Sequence, residues 1–146
     1  MENRYPSVAV LLAAYNGINW IEEQVTSIIS QKNTSIEIFI SVDLSNDKTY
    51  EWCQDFAKEN INIKVLPYGK KFGGAAKNFF RLIRDVDFSR FDYVALADQD
   101  DIWNSGKLHH AIRVIEKDDL DGYSSDVTAF WGNGREKLVK KSFPQK

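Results

Sequence analysis

The sequence predicts an α/β fold: a mainly parallel sheet with helices on both faces. Three observations predict it. Strand-like apolar runs recur at roughly 25–30-residue intervals with a helical stripe between each pair, the spacing of βαβ units. The first run, from Val8 to Ala14, is almost continuously apolar, as in a strand buried on both faces. Finally, each run feeds a short polar or glycine-bearing segment: Tyr15–Gly17, Asp43–Asp47, Pro67–Gly74 and Asp98–Asp101. Ligands of open α/β sheets bind beyond the carboxyl ends of the strands, so these four segments should converge on one edge.

Ser7–Tyr15 reads as the first strand. Asn19, with Glu22 three residues on, suggests a helix N-terminus, and Ile18, Ile21, Val25, Ile28 and Ile29 follow at helical spacing. Ile36, Ile38, Ile40 and Val42 alternate strictly, giving a second strand. Tyr50, Cys53, Phe56 and Ala57 form the next helical stripe, and Ile61, Ile63 and Val65 a third strand. Ala75, Phe79, Leu82, Ile83 and Val86 mark a third helix. Phe91–Ala97 reads as a fourth strand, and Leu108, Ala111, Ile112 and Ile115 as a fourth helix. The rhythm changes after Glu116. Tyr123–Trp131 reads as a further strand or loop, followed by a tail rich in Lys and Gly.

A length of 146 residues fits one domain, and 43% hydrophobic with 27% charged residues suits a soluble globular chain. The net charge of −2 argues against a general nucleic-acid-binding face, so no nucleic-acid partner is expected. Val8–Ala14 is too short to span a bilayer, and its short leader does not resemble a signal peptide. The single cysteine, Cys53, allows no internal disulfide and supplies no zinc-ligand set; it reads as a small core hydrophobe. The chain is therefore expected in the cytoplasm, or peripherally on the cytoplasmic face of a membrane.

The strongest chemical signal is A-D-Q-D-D-I-W at positions 97–103. Three carboxylates within four residues repel one another unless a positive charge sits among them. A hard divalent cation with oxygen ligands would supply it; the plainer alternative is a solvated acidic turn. Asp43, after the second strand, reads either as a turn residue or as an acceptor for a nucleobase N–H. Tyr15-Asn16-Gly17 is a turn whose tyrosine ring could lie against a base. Gly69–Gly74 is not a Walker loop, because no Gly-Lys-Ser/Thr closes it, but its glycines at a helix start could turn backbone N–H groups toward an anion. Lys70, Lys71 and Lys77 add positive charge there. His109 and His110 lack a third ligand nearby, and Ser27, Ser30 and Ser35 lack an esterase pattern.

S-V-A-V-L-L-A-A-Y-N-G, the Asp43 turn and Y-V-A-L-A-D-Q-D-D-I-W-N-S-G-K-L together resemble GT-A-type inverting glycosyltransferases of family 2. The D-Q-D-D-x-W form is similar to rhamnosyltransferase-like bacterial members that build surface polysaccharides. D-G-Y-S-S-D-V-T-A-F-W, from Asp121 to Trp131, also resembles a segment of such enzymes. The resemblance spans roughly residues 5–145 and implies a GT-A, Rossmann-like sheet. It implies a nucleoside-diphosphate sugar donor, UDP- or dTDP-linked, Mn²⁺ or Mg²⁺ as cofactor, and a glycan or lipid-linked acceptor. Carried over by position, Ala13 and Tyr15 would border the base and Asp43 would accept its N–H. Lys77 would touch the nucleotide and Asp98 the ribose. Asp100 would bind the metal, with Asp101 as a helper. Val42 stands where the family often has an acid, and Leu44 where it often has glycine. The family's general base lies well downstream of the acidic motif. Residues 1–146 are therefore expected to be the nucleotide-sugar-binding part of a GT-A domain, truncated before the acceptor part, with the base beyond Lys146. The competing reading is a nucleotide-binding module without turnover. An Asp-nucleophile phosphatase fits poorly, because Asp-Ile-Trp follows Asp100 where that class has a threonine. A plain α/β interaction domain leaves the acid cluster unexplained.

Overall fold

In a computed structural model, residues 4–141 are described, and they form two compact units. The first, up to Gly106, is the predicted parallel α/β layer. It contains β1 (Ser7–Ala14), α1 (Ile21–Ile29), β2 (Ser35–Val42), α2 (Thr49–Glu59), β3 (Ile63–Val65), α3 (Ala75–Asp85) and β4 (Tyr93–Asp98). The strand order is β3-β2-β1-β4, and every pair is parallel.

Burial explains this order. Val8 through Ala14 are at most 6% exposed, so β1 takes the interior position that a fully apolar strand requires. It pairs with β2 from Ser7↔Ser35 to Ala14↔Val42 and with β4 from Val8↔Tyr93 to Ala13↔Asp98. From β1 the chain steps outward through α1 to β2 and through α2 to β3. It then returns through α3 to the far side of β1. Right-handed crossovers place α3 on the opposite face from α1 and α2. Side-chain alternation agrees: Leu11 and Ala13 of β1 and Phe39 of β2 cluster with Leu82, Val86 and Phe79 on the α3 side. Ile38, Ile40 and Val42 point the other way and are buried. Phe91 meets Phe39 edge-on, with ring centroids 5.9 Å apart.

Two expectations need correction. Asn19 does not cap α1. The N-cap residue is Trp20, with no side-chain cap, because the carbonyl of Gly17 accepts both the Trp20 and Ile21 N–H groups at 2.9 Å. Ile61 is 85% exposed and lies before β3, which holds only three residues.

The second unit holds α4 (Lys107–Asp118), β5 (Val127–Phe130) and β6 (Glu136–Val139). Leu108 and Ile112, one helical turn apart, are the buried residues of α4. β5 and β6 form an antiparallel hairpin from Val127↔Val139 to Phe130↔Glu136. Its connection closes on Trp131, whose carbonyl accepts the Gly134 N–H at 2.9 Å, with Gly134 at φ +81°. The tail from Gly132 thus contains a strand that its polar composition did not suggest.

Candidate functional site

The strand order reverses beside β1, between β2 and β4. At the carboxyl end of these three strands lies a cleft of about 640 Å³. Ala13 and Tyr15 from β1 and its following turn line it, with Asp43 after β2 and Asp98 and Asp100 from the end of β4. Five of the seven residues singled out in the sequence therefore meet in one cavity. Lys77 and Asp101 are exposed and are not among the lining residues. The lysine that lines the cleft is Lys71.

Asp43 is buried, with 4% exposure, and serves as the anchor of the 67–74 loop. Its Oδ1 accepts the N–H groups of Leu44 at 2.8 Å and Phe72 at 2.6 Å, and its Oδ2 accepts that of Gly73 at 2.8 Å. The glycine-bearing loop does turn its amides toward an anion, and that anion is a carboxylate of the same chain. Gly73 is at φ +78°, where a side chain is strained, which explains a glycine there. Burial alone would raise the Asp43 pKa. The amides of Phe72, Gly73, Leu44 and Gly74 outweigh it and hold the carboxyl below its ordinary value.

Other contacts fix the same loop. Ser45 donates its N–H to the Tyr68 hydroxyl at 3.0 Å, and the Tyr68 ring stacks on Tyr50 at 4.0 Å. Arg81 of α3 is 7% exposed; it donates to the Pro67 carbonyl at 2.6 Å and to Ser41 Oγ at 2.9 Å, and lies over the Phe72 ring at 5.1 Å. Asn78, also buried, donates to the carbonyls of Ser41 at 2.9 Å and Ala14 at 3.3 Å, accepts from Ser41 Oγ, and forms part of the cleft wall. Sequence reading missed Asn78 and Arg81. The available signal was a polar pair inside the apolar stripe of Ala75, Phe79, Leu82 and Val86.

The acidic loop is held from the other side. Gln24, Ser27 and Gln31 lie at i, i+3 and i+7, one buried polar edge of α1 running past its C-terminus. Gln24 Nε2 donates to the Asp98 carbonyl at 2.8 Å. Ser27 Oγ accepts the Trp103 N–H at 3.0 Å and donates toward the Gln24 carbonyl at 2.8 Å. Gln31 Nε2 donates to the Asn104 carbonyl at 2.7 Å. Ser27 is thus a fastener for the loop backbone. Partial burial pushes the Asp98 carboxyl up, and the charges of Asp101 and Asp100 push it further. Among the described residues no group of three or more His, Cys, Asp or Glu could hold a metal ion. Asp98 and Asp100, which both line the cleft, still offer the oxygen ligands that suit a hard cation.

The Tyr15–Gly17 turn rests on the β2–α2 loop. Gly17 donates its N–H to Thr49 Oγ1 at 2.8 Å, and Ile18 donates to Asp47 Oδ2 at 3.2 Å. Asn16, at φ +45°, accepts the Asn46 N–H at 2.9 Å. Tyr15 is 54% exposed, so its ring is available to a ligand.

Comparison with known proteins agrees with this architecture. The Glycosyl transferase family 2 profile matches residues 9–143. The dTDP-rhamnosyl transferase RfbG of Shigella flexneri is 48% identical over 135 residues, which cover 92% of this chain and 47% of RfbG. The chain therefore spans less than half the length of this relative. Staphylococcus aureus TarS, solved in complex with UDP-GlcNAc, superposes with a TM-score of 0.64 at 24% identity, over 76% of this chain and 31% of that one. The mannosyltransferase PcManGT from Pyrobaculum calidifontis, solved with GDP-Man and Mn²⁺, superposes with a TM-score of 0.65 at 20% identity, over 77% and 33%. These two likenesses speak for the fold, which is GT-A. With the family profile covering nearly its whole length, the chain belongs to glycosyl transferase family 2.

Proposed function

We propose that residues 1–146 supply the donor-binding part of a metal-dependent, inverting glycosyltransferase that moves a sugar from a nucleoside diphosphate to a glycan or lipid-linked acceptor in surface polysaccharide synthesis. The observation that carries this reading is the meeting of Tyr15, Asp43, Asp98 and Asp100, from three strand ends, on one cleft.

In this reading Ala13 and Tyr15 border the base. An ionised carboxylate offers about four acceptor positions. Leu44, Phe72 and Gly73 hydrogen-bond to Asp43 and the Gly74 amide also acts on its carboxyl, so a base N–H would share an acceptor oxygen with one of these amides. Asp98 takes the ribose. Asp100, with Asp101 as a helper, would hold Mn²⁺ or Mg²⁺. The cation would neutralise charge developing on the leaving diphosphate as the sugar bond breaks. Lys77 is the basic residue that the resemblance puts against the nucleotide; Lys71, which lines the cleft, is the second candidate. The relative RfbG, a dTDP-rhamnosyl transferase by name, supports a dTDP-linked donor, and TarS with UDP-GlcNAc keeps a UDP-linked one in the test. PcManGT with Mn²⁺ supports the cation. No helix of the described residues is long and apolar enough to cross a membrane. We place the protein in the cytoplasm or peripherally on the cytoplasmic membrane face, where lipid-linked acceptors would be met.

Calorimetric titration of the chain with dTDP and UDP, in Mn²⁺, in Mg²⁺ and in chelator, tests the reading. Tighter binding with metal is expected, and Asp100→Ala should remove most of the metal-dependent part. Equal affinity in metal and in chelator would show that the acidic loop does not bind the cation.

A further inference from the structure

Gln99 lies between Asp98 and Asp100 of the acidic loop, and its carboxamide reaches across to a single residue of the neighbouring turn. Its Oε1 accepts the Tyr15 N–H at 2.6 Å, and its Nε2 donates to the Tyr15 carbonyl at 2.7 Å. The backbone ladder between β1 and β4 ends at Ala13↔Asp98. Gln99 extends it by pairing, through its side chain, with both backbone groups of a residue past the end of β1. Only a carboxamide of this length does so: the donor and acceptor must sit side by side, one for each backbone group.

Gly17 supplies the complementary observation. A Cβ at this position would lie 2.3 Å from Gln99 Oε1 and 2.6 Å from its Cδ. Gly17 lies outside the left-handed region, so its backbone conformation does not call for glycine. What does is the end of the Gln99 side chain, which fills the space.

We propose that Gln99 is a positioning residue that locks the Tyr15–Gly17 turn to the acidic loop, and that Gly17 is glycine in order to admit it. Tyr15, Asp98 and Asp100 line the same cleft, so one side chain couples the wall proposed for the base to the carboxylates proposed for ribose and metal. The consequence for binding rests on the nucleotide reading given above; the lock itself does not.

The test uses Gln99→Met, Gly17→Ala and the double variant. Amide hydrogen exchange followed by NMR reads the lock in the free protein. Tyr15 should exchange roughly tenfold faster in either single variant, while the amides of Val10 and Leu12 inside β1 keep their protection and report an intact fold. Titration with UDP and dTDP in chelator reads the consequence. Each single variant should bind about five- to tenfold more weakly than the wild type. The double variant should be no worse than the weaker single, because both changes break one contact. Wild-type Tyr15 exchange in Gln99→Met would overturn the lock, and additive losses in the double variant would overturn the role of Gly17. Wild-type nucleotide affinity in Gln99→Met would overturn the coupling. A wild-type chain that binds neither nucleotide would instead overturn the nucleotide reading, with the exchange data still deciding the lock.

Discussion

The carboxylate of Asp43, at the end of β2, accepts the N–H of Gly73 at 2.8 Å and so closes the 67–74 loop onto the sheet from 30 residues away in sequence. The same carboxylate holds Phe72 and Leu44, and it is buried. Its folded pKa lies below its ordinary value, so the folded state binds fewer protons than the unfolded chain in the window between the two. The stability contributed by Asp43 is therefore fully present above about pH 4 and is lost as pH falls through the lower, folded value. Asp43→Asn keeps the shape but turns an N–H₂ toward at least one of the backbone amides that the carboxylate accepts, which should cost about 1–3 kcal/mol at pH 7. Denaturant titrations across pH 2.5–7, roughly the span over which a carboxylate titrates, should show a shallower acid limb for the variant. Parallel limbs would mean that Asp43 is not the group being titrated.

Ser27 tests how far the acidic loop depends on α1. Its Oγ accepts the Trp103 N–H at 3.0 Å in a buried setting. Ser27→Ala removes this hydrogen bond and should destabilise the fold by about 0.5–1.5 kcal/mol. Because the Gln24 and Gln31 contacts survive, the loss should concentrate in residues 98–105. Hydrogen exchange should then rise there before it rises in β1. A uniform rise would assign Ser27 to general helix packing.

Cys53 offers a reporter that leaves the cleft untouched. It is fully buried on α2, and burial pushes its thiol pKa up to about 12. Only the thiolate reacts quickly with disulfide reagents. In native buffer Cys53 should therefore label slowly, at a rate set by opening of the fold, and should label fully in denaturant. Fast labelling that is independent of denaturant would show that α2 detaches without unfolding.

What the sequence disclosed followed physical range. The parallel strands and the helices between them announced themselves because burial imposes a local period, seen most plainly in Val8–Ala14. β6 did not, because Glu136–Val139 is exposed along its whole length and burial imposes no alternation on it. The convergence of Tyr15, Asp43 and Asp98 followed from the parallel order alone. The contacts that shape the cleft did not: Asp43 meets Gly73 across 30 residues and Gln99 meets Tyr15 across 84, pairings that no local pattern encodes. Asn19 illustrates the reverse error. A good local capping signal lost to the Gly17 carbonyl, which the fold had placed to accept the first amides of the helix.

Lys71 and Lys77 separate what sequence position implied from what the cleft contains. Position carried Lys77 forward as the basic residue touching the nucleotide. In the structure both lysines are exposed, but Lys71 borders the cleft with Asp43, Gly73 and Asp100, while Lys77 lies on the first turn of α3 outside its lining. A diphosphate in the cleft would carry two or more negative charges. An ammonium at its rim attracts it with an energy that salt screens over about 8–10 Å. Removing such an exposed charge should therefore weaken binding by a factor of a few at low salt, less at high salt. Lys71→Ala should raise the dissociation constant of dTDP and UDP about three- to fivefold in 20 mM salt, and the difference should shrink in 300 mM, where the screening length is about half that at 0.1 M. Thymidine and uridine, which lack phosphate, should bind Lys71→Ala as they bind the wild type. Lys77→Ala should change neither by more than the scatter of the titration. The opposite pattern, with dTDP binding lost in Lys77→Ala and kept in Lys71→Ala, would return the phosphate contact to the first turn of α3 and require the 69–74 loop to move when nucleotide binds.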